Sequence, residues 1–245
     1  TGDKGKSLFA CALLAFSKLA LSHVLMVRMY ALLTLFTVLL ALLVIKVLHK
    51  PTIWNYVGIG LVICLGMLTQ YFYVIYAFLL CAGVDLYLLY HRQWKKLVRF
   101  SISALAGVGA MMLIYPCWYL QITTTQPAVS LDVTASNALN LLNYPIRIGR
   151  MLAWTAIDFW TSALILLLMA AAMIAGKLLP QNKEAGIHFT AEVKLIALPA
   201  FIAFLVIAII APYEAMRYIC HLQPVAAVFL SCGFFEATKI LKPVN

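Results

Sequence analysis

Long stretches without any charged residue constrain the fold of this chain more than any other feature. They run over residues 29–45, 51–84, 100–131, 159–176, 195–213 and 218–235. Each is close to, or longer than, the roughly 20 mostly apolar residues that a membrane-spanning helix needs. Lipid-facing strands would alternate apolar and polar residues, whereas these stretches are apolar on every face. The sequence therefore predicts an all-α integral membrane protein.

The composition excludes two other classes of protein. The chain is 65% hydrophobic and 11% charged, with a mean hydropathy of +1.00, whereas soluble domains carry roughly a quarter charged residues and disordered chains contain few apolar ones. The net charge of +10 would suggest nucleic-acid binding in a soluble protein, but no basic block with interleaved aromatic residues is present. We therefore expect membrane lipids, and not nucleic acid, as partners.

Eight membrane segments account for the apolar stretches. The stretch 51–84 is long enough for two short spans with a turn at its polar centre, Thr69–Tyr71, and a further apolar segment lies near the N-terminus. The predicted segments are roughly 7–23, 28–48, 52–69, 71–90, 97–117, 151–175, 195–212 and 216–237. Together they predict one polytopic domain over residues 1–245, with one longer loop at about 118–150.

The distribution of basic residues predicts the orientation of this domain. Lysine and arginine concentrate in the cytoplasmic loops of multi-pass proteins, and all but five of the eighteen fall on one face of the arrangement. The five on the other face are Lys18, Arg28, Arg147, Arg150 and Arg217. We expect a bacterial-type cytoplasmic membrane, with both ends of this chain cytoplasmic and the 118–150 loop outside.

Polar and aromatic residues collect at the outer ends of the predicted segments. An arginine on the outer face runs against the charge bias, so a buried one there requires an anionic partner, and a guanidinium matches the geometry of a phosphate. These candidate site residues are His23, Arg28, Tyr30, Gln70, Tyr71, Glu214, Arg217, Tyr218 and His221.

Structural explanations for the same residues stay open. Arg28 and Arg217 could extend to lipid headgroups without a further role, and Glu214 could pair with Arg217 along one helix. The two histidines could be hydrogen-bonded polar residues, and the tyrosine-rich turn could be packing.

Two acidic residues lie deeper in the predicted segments. Asp85 is near a cytoplasmic end, where Arg92 or Lys95 could neutralise it. Asp158 is predicted about two turns inside the sixth segment, and a carboxylate within the membrane is costly and often functional. Asp158 could couple ions or protons in a transporter, or it could hydrogen-bond a neighbouring helix.

Three short motifs resemble those of bacterial glycosyltransferases that use lipid-linked sugars and have the GT-C fold. The run Ser22–Leu33 is similar to their S-x(4–5)-R-M-Y-x-L-L segment, and Thr69-Gln70-Tyr71-Phe72 to their T-H-Y-F turn, with Gln in place of His. Arg217-Tyr218 with Pro224 is similar to their R-Y-x(5)-P. The resemblance is to the protein O-mannosyltransferase and aminoarabinose-transferase group, glycosyltransferase family 39, and covers about Ser7 to Leu241.

The resemblance implies transfer of a sugar from a polyprenyl-phosphate donor to an acceptor hydroxyl at the outer membrane face. Arg28 and Arg217 would contact the lipid phosphate, with Tyr30, Tyr218, Gln70 and Tyr71 as neighbours, and a carboxylate would act as base. The family's acidic residue lies in a first outer loop that has no counterpart in this sequence. We therefore expect the base to lie upstream of Thr1 and the chain to be a piece that is inactive alone.

Two other functions stay open beside the transferase: a transporter or flippase of lipid-linked sugars, and a non-catalytic membrane scaffold. Whether the chain is an enzyme is therefore also open. No cofactor motif is evident, and the six cysteines show neither C-x-x-C spacing nor a zinc-site cluster with histidine. A requirement for a divalent metal has no supporting site in the sequence.

Overall fold

The computed structural model describes residues 3–17, 29–117, 143–158, 162–178, 187–211 and 218–241. Throughout these ranges the regular structure is helical, and they contain no strand. The helices are α1 Lys4–Ala15, α2 Tyr30–His49, α3 Ile53–Thr69, α4 Tyr73–Tyr90, α5 Trp94–Ile114, α6 Asn143–Asp158, α7 Ser162–Leu178, α8 Ala191–Ile210, a short 3₁₀ helix Cys220–Leu222, and α9 Gln223–Leu241. The prediction of an all-α protein is confirmed.

Five helical segments are long and apolar enough to cross a membrane: α2, α4, α5, α8 and the segment Cys220–Ile240. Helix α3 and the centre of α7 are also apolar but shorter. Large apolar side chains such as Leu105 and Leu113 point away from the protein and are 70% and 84% exposed. Outward-facing apolar residues of this kind suit a lipid environment, and the chain is a multi-pass membrane protein.

Polar residues at helix starts define several of the boundaries. The side chain of Asp3 accepts hydrogen bonds from the backbone at the start of α1, and Thr52 and Thr190 do the same for α3 and α8. These caps satisfy backbone N–H groups that have no partner within the helix.

Two apolar clusters hold the helices together. The larger cluster joins α2, α3, α4 and α8 through fully buried residues that include Leu40, Ile59, Leu80 and Ile207. The smaller one joins α1, α7 and α9 and includes Met169, whose side chain packs directly over Gly233. Small residues allow such close approach of helices within a membrane.

The α3–α5 contact is the closest of these approaches. A Cβ atom on Gly60 would lie 2.9 Å from the carbonyl oxygen of Ser103, and one on Gly107 would meet the backbone of Gly60. The Ser103 hydroxyl also donates a hydrogen bond to the carbonyl oxygen of Tyr56. Glycine is therefore required at both positions by the distance between the two backbones.

The predicted sixth segment and the loop before it are wrong in their bounds. Helix α6 begins at Asn143, inside the predicted 118–150 loop, and residues predicted as one segment, 151–175, belong to the two helices α6 and α7. Helix α6 is amphipathic, and one of its faces is packed in the bundle, where Arg147 and Met151, four residues apart, are buried. A search for long, uninterrupted apolar stretches does not detect an amphipathic helix, because polar residues interrupt its apolar ones. Asp158 is the last residue of α6 as the helix is bounded here.

The two ends of the helix bundle differ in their polar residues. At one end, called here the lysine end, the Lys96 Nζ donates to the carbonyl oxygen of Leu48 over 2.8 Å, and His49 Nε2 lies 3.2 Å from Glu192 Oε1. The opposite end, called here the tyrosine end, carries Tyr30, Gln70, Tyr71, Phe72 and Tyr218. The predicted orientation places the lysine end in the cytoplasm.

Buried and half-buried polar groups near the lysine end pair across helices. Lys6 Nζ lies 2.8 Å from Glu236 Oε1, which links α1 to α9, and this hydrogen bond raises the pKa of Lys6. Asp85, for which an arginine or lysine partner was considered from the sequence, instead accepts a hydrogen bond from the Ser101 hydroxyl at 3.1 Å.

Candidate functional site

The turn between α3 and α4 forms one side of the candidate site. Helix α3 ends at Thr69, and Gln70 is extended, so the chain reverses within three residues before α4 begins at Tyr73. The backbone N–H of Tyr73 donates to the carbonyl oxygen of Gln70 at 3.1 Å, which closes the turn. Gln70 is 7% exposed whereas Tyr71 is 56% exposed, so the turn presents one buried amide and one accessible phenol.

The segment that leads into α9 forms the other side. The rings of Phe72 and Tyr218 lie 4.7 Å apart between centroids, so the α3–α4 turn touches the residue that follows Arg217 in the sequence. Tyr30, at the start of α2, is buried, and α2 packs against the 3₁₀ helix. Described residues of three motifs that are far apart in the sequence therefore lie at the tyrosine end.

A buried polar layer lies directly beneath this surface. His221 is fully buried, and its ring lies 6.2 Å from the ring of Tyr73 and 6.4 Å from that of Tyr76. Tyr73 donates its hydroxyl to the carbonyl oxygen of Phe36 at 3.3 Å. Both His221 nitrogens, the Tyr76 hydroxyl and the Gln70 Oε1 have no hydrogen-bond partner in the part of the chain that the structure describes.

The predicted site residues divide into two groups. Tyr30, Gln70, Tyr71 and Tyr218 lie at the tyrosine end, with His221 beneath them. The other predicted residues, whose placement is outside the described residues, are His23, Arg28, Glu214 and Arg217. The side chain of Asp158 is outside them as well. The roles assigned to all of these residues stay predictions.

Arg147 is a feature of this end that the sequence analysis did not select. The residue is 8% exposed, and its Nη2 donates a 2.5 Å hydrogen bond to the carbonyl oxygen of Ala211. Its Nε is buried and has no partner among the described residues. The signal was present in the sequence, because Arg147 was one of the five bases predicted on the outer face, but it belongs to none of the three family motifs.

Metal ligands do not cluster in the described ranges, which contain no group of three or more His, Cys, Asp or Glu side chains that could hold an ion. The six cysteines are free thiols. A small cleft of about 120 Å³ lies at the lysine end, between His49, Tyr87, Gln93 and Glu192, and is therefore separate from the tyrosine end.

Comparison with known families finds a match over slightly less than half of the chain. Residues 2–120 match the family model of the dolichyl-phosphate-mannose-protein mannosyltransferases. This match supports a GT-C family of membrane glycosyltransferases, and it confirms the resemblance for the two motifs that lie within residues 2–120. The matched region includes the Tyr30 motif and the Gln70 turn. Searches of curated proteins and of solved structures found no match.

Proposed function

We propose that this protein transfers a sugar from a polyprenyl-phosphate donor to an acceptor hydroxyl at the outer face of the membrane. The family supports the use of lipid-linked sugar donors in general. The contact between the Phe72 and Tyr218 rings carries the more specific proposal, because it joins two motifs at the bundle end that the charge bias predicts to be outside.

The chemistry of the reaction matches the residues near this contact. The bond from the anomeric carbon to the donor phosphate breaks, and the phosphate oxygen takes up negative charge as it leaves. Fixed positive groups stabilise that charge. Arg28 lies two residues before Tyr30, and Arg217 immediately precedes Tyr218. Both arginines therefore precede, by one or two positions, a tyrosine that the structure places at the tyrosine end.

The acceptor hydroxyl must lose a proton as it attacks, so a carboxylate base is required. Neither Glu214 nor Asp158 is assigned to this role. The family resemblance attributes the base to an acidic residue of an outer loop, and the activity is assayed on the intact protein.

The test is transfer of labelled sugar from a polyprenyl-phosphate donor by that protein in proteoliposomes. Arg28→Gln and Arg217→Gln should each lower transfer at least about tenfold, since hydrogen bonds to charged groups contribute about 1.5–3 kcal/mol. The lysine variants Arg28→Lys and Arg217→Lys should lose most of the activity, because lysine lacks the two-pronged donor geometry. Arg99→Gln, which removes the same charge at the lysine end, is the matched control.

Two results would contradict the proposal. Movement of intact lipid-linked sugar across the bilayer without sugar transfer would indicate a transporter or flippase. Full activity in both glutamine variants, or an equal loss in Arg99→Gln, would show that the arginines hold no donor phosphate.

A further inference from the structure

Arg147 is a buried cation at the tyrosine end with one described hydrogen bond. Its Nη2 donates to the carbonyl oxygen of Ala211 over 2.5 Å, and the residue is 8% exposed. One turn further along α6, Met151 is fully buried, so this face of α6 packs firmly in the bundle. No acidic side chain forms an ion pair with Arg147 within the described ranges.

The position of the accepting carbonyl explains why a cation is stable here. Ala211 is the capping residue that directly follows the last residue of α8, Ile210, and the carbonyls at this end of a helix have no partner within it. These carbonyls also carry the negative end of the helix dipole, which favours a cation. Arg147 therefore fixes the C-terminal end of α8 to α6.

The hydrogen bond between Arg147 and Ala211 also bears on the candidate site, because a short length of chain joins Ala211 to Tyr218. After Ala211, which is 2% exposed, the next described residue is Tyr218, which is 6% exposed and packs on Phe72. Only residues 212–217 connect the two, and they include Arg217. Ala211 is held by the hydrogen bond from Arg147, and Tyr218 by its ring contact with Phe72.

We propose that Arg147 is a positioning residue that fixes the start of the connection 212–217 through the Ala211 carbonyl. It acts through this carbonyl and not on the substrate. A role of Arg147 in catalysis rests on the proposed function, in which Arg217 contacts the donor phosphate.

Hydrogen exchange of the whole protein in detergent tests the positioning directly. Arg147→Gln should accelerate amide exchange in peptides covering residues 211–218 by on the order of tenfold or more, the equivalent of losing one charge-assisted hydrogen bond. Arg147→Lys, which keeps one charged donor, should fall between Arg147→Gln and the wild type. Arg150→Gln is the matched control, because Arg150 lies on the same helix but is exposed.

Steady-state kinetics supplies a second measurement. If Arg147 positions Arg217, Arg147→Gln should raise KM for the lipid donor severalfold, and Arg147→Lys should restore part of the change. Unchanged exchange over 211–218 in Arg147→Gln would overturn the proposal, as would an equal acceleration in Arg150→Gln or one spread evenly over α8.

The two proposals can fail separately. Faster exchange in a protein that transfers no sugar would refute the proposed function and support the positioning role. Sugar transfer by the wild type, with unchanged exchange in Arg147→Gln, would support the proposed function and refute the positioning role.

Discussion

The close contact between α3 and α5 gives the sharpest prediction about the stability of the protein. A Cβ atom on Gly107 of α5 would lie 3.0 Å from the carbonyl carbon and the Cα of Gly60 on α3, and closer still to the Gly60 carbonyl oxygen. These are backbone atoms, so no side chain can rotate away to make room. Gly107→Ala therefore forces the two helices apart.

The size of the effect follows from two opposing contributions. Overpacking a well-packed interface costs about 1–3 kcal/mol, and we expect the upper part of that range because backbone must move. Replacing glycine by alanine within a helix contributes about 1 kcal/mol in the opposite direction. The expected net loss is about 1–2 kcal/mol in the free energy of unfolding.

Gly109 is a matched control on the same helix. A Cβ atom there would meet nothing within 4 Å, so Gly109→Ala should be neutral or stabilise by about 0.5–1 kcal/mol. Thermal unfolding in detergent should separate the two variants by roughly 2–12 °C. Equal melting temperatures for Gly107→Ala and Gly109→Ala would refute the reasoning, because only the distance to Gly60 distinguishes the two positions.

Three further predictions concern side-chain contacts. Gly66→Ala places a Cβ 2.6 Å from Cδ1 of the fully buried Tyr73 ring. The substitution should therefore lower the free energy of unfolding by about 1–3 kcal/mol, measured by thermal unfolding, and should lower sugar transfer. Wild-type values for both measurements would contradict this prediction. Glu236→Gln removes the charge that accepts from Lys6 and should cost about 1–3 kcal/mol in denaturant unfolding, whereas unchanged stability would show that this ion pair does not hold α1 to α9. His221→Leu removes two buried nitrogens without described partners, so its melting temperature should stay equal or rise while sugar transfer falls; a marked loss of stability would refute this interpretation.

Most helix positions could be predicted from the sequence because apolar stretches and capping residues act locally. The predicted 71–90 segment corresponds to α4 at Tyr73–Tyr90, and the predicted turn at Thr69–Tyr71 lies next to the observed reversal at Gln70–Phe72. The first half of α6, before residue 151, was missed because it is amphipathic and carries two arginines. The burial of Arg147 on the packed face depends on tertiary contacts.

The candidate site was predictable only in its outline. Alternating spans place the Gln70 turn and the segment before α9 at the same end of the bundle, which the contact between Phe72 and Tyr218 reflects. The burial of His221 between two tyrosine rings and the hydrogen bond of Arg147 to the end of α8 depend on tertiary packing. No periodicity or spacing in the sequence encodes those distances.

The distribution of unpaired polar atoms favours a functional role for the tyrosine end. Five of the seven buried side-chain atoms without a hydrogen-bond partner in the described ranges lie there, on Gln70, Tyr76, Arg147 and His221. Leaving such an atom unpaired costs about 1–3 kcal/mol, whereas polar groups such as Lys6 and Asp85 towards the other end find partners. A fold selected for stability alone would replace these residues by apolar ones of similar size. Proteins most often leave buried polar atoms unpaired at functional sites. The concentration of such atoms at the tyrosine end therefore supports the same location for the site as the three motifs do.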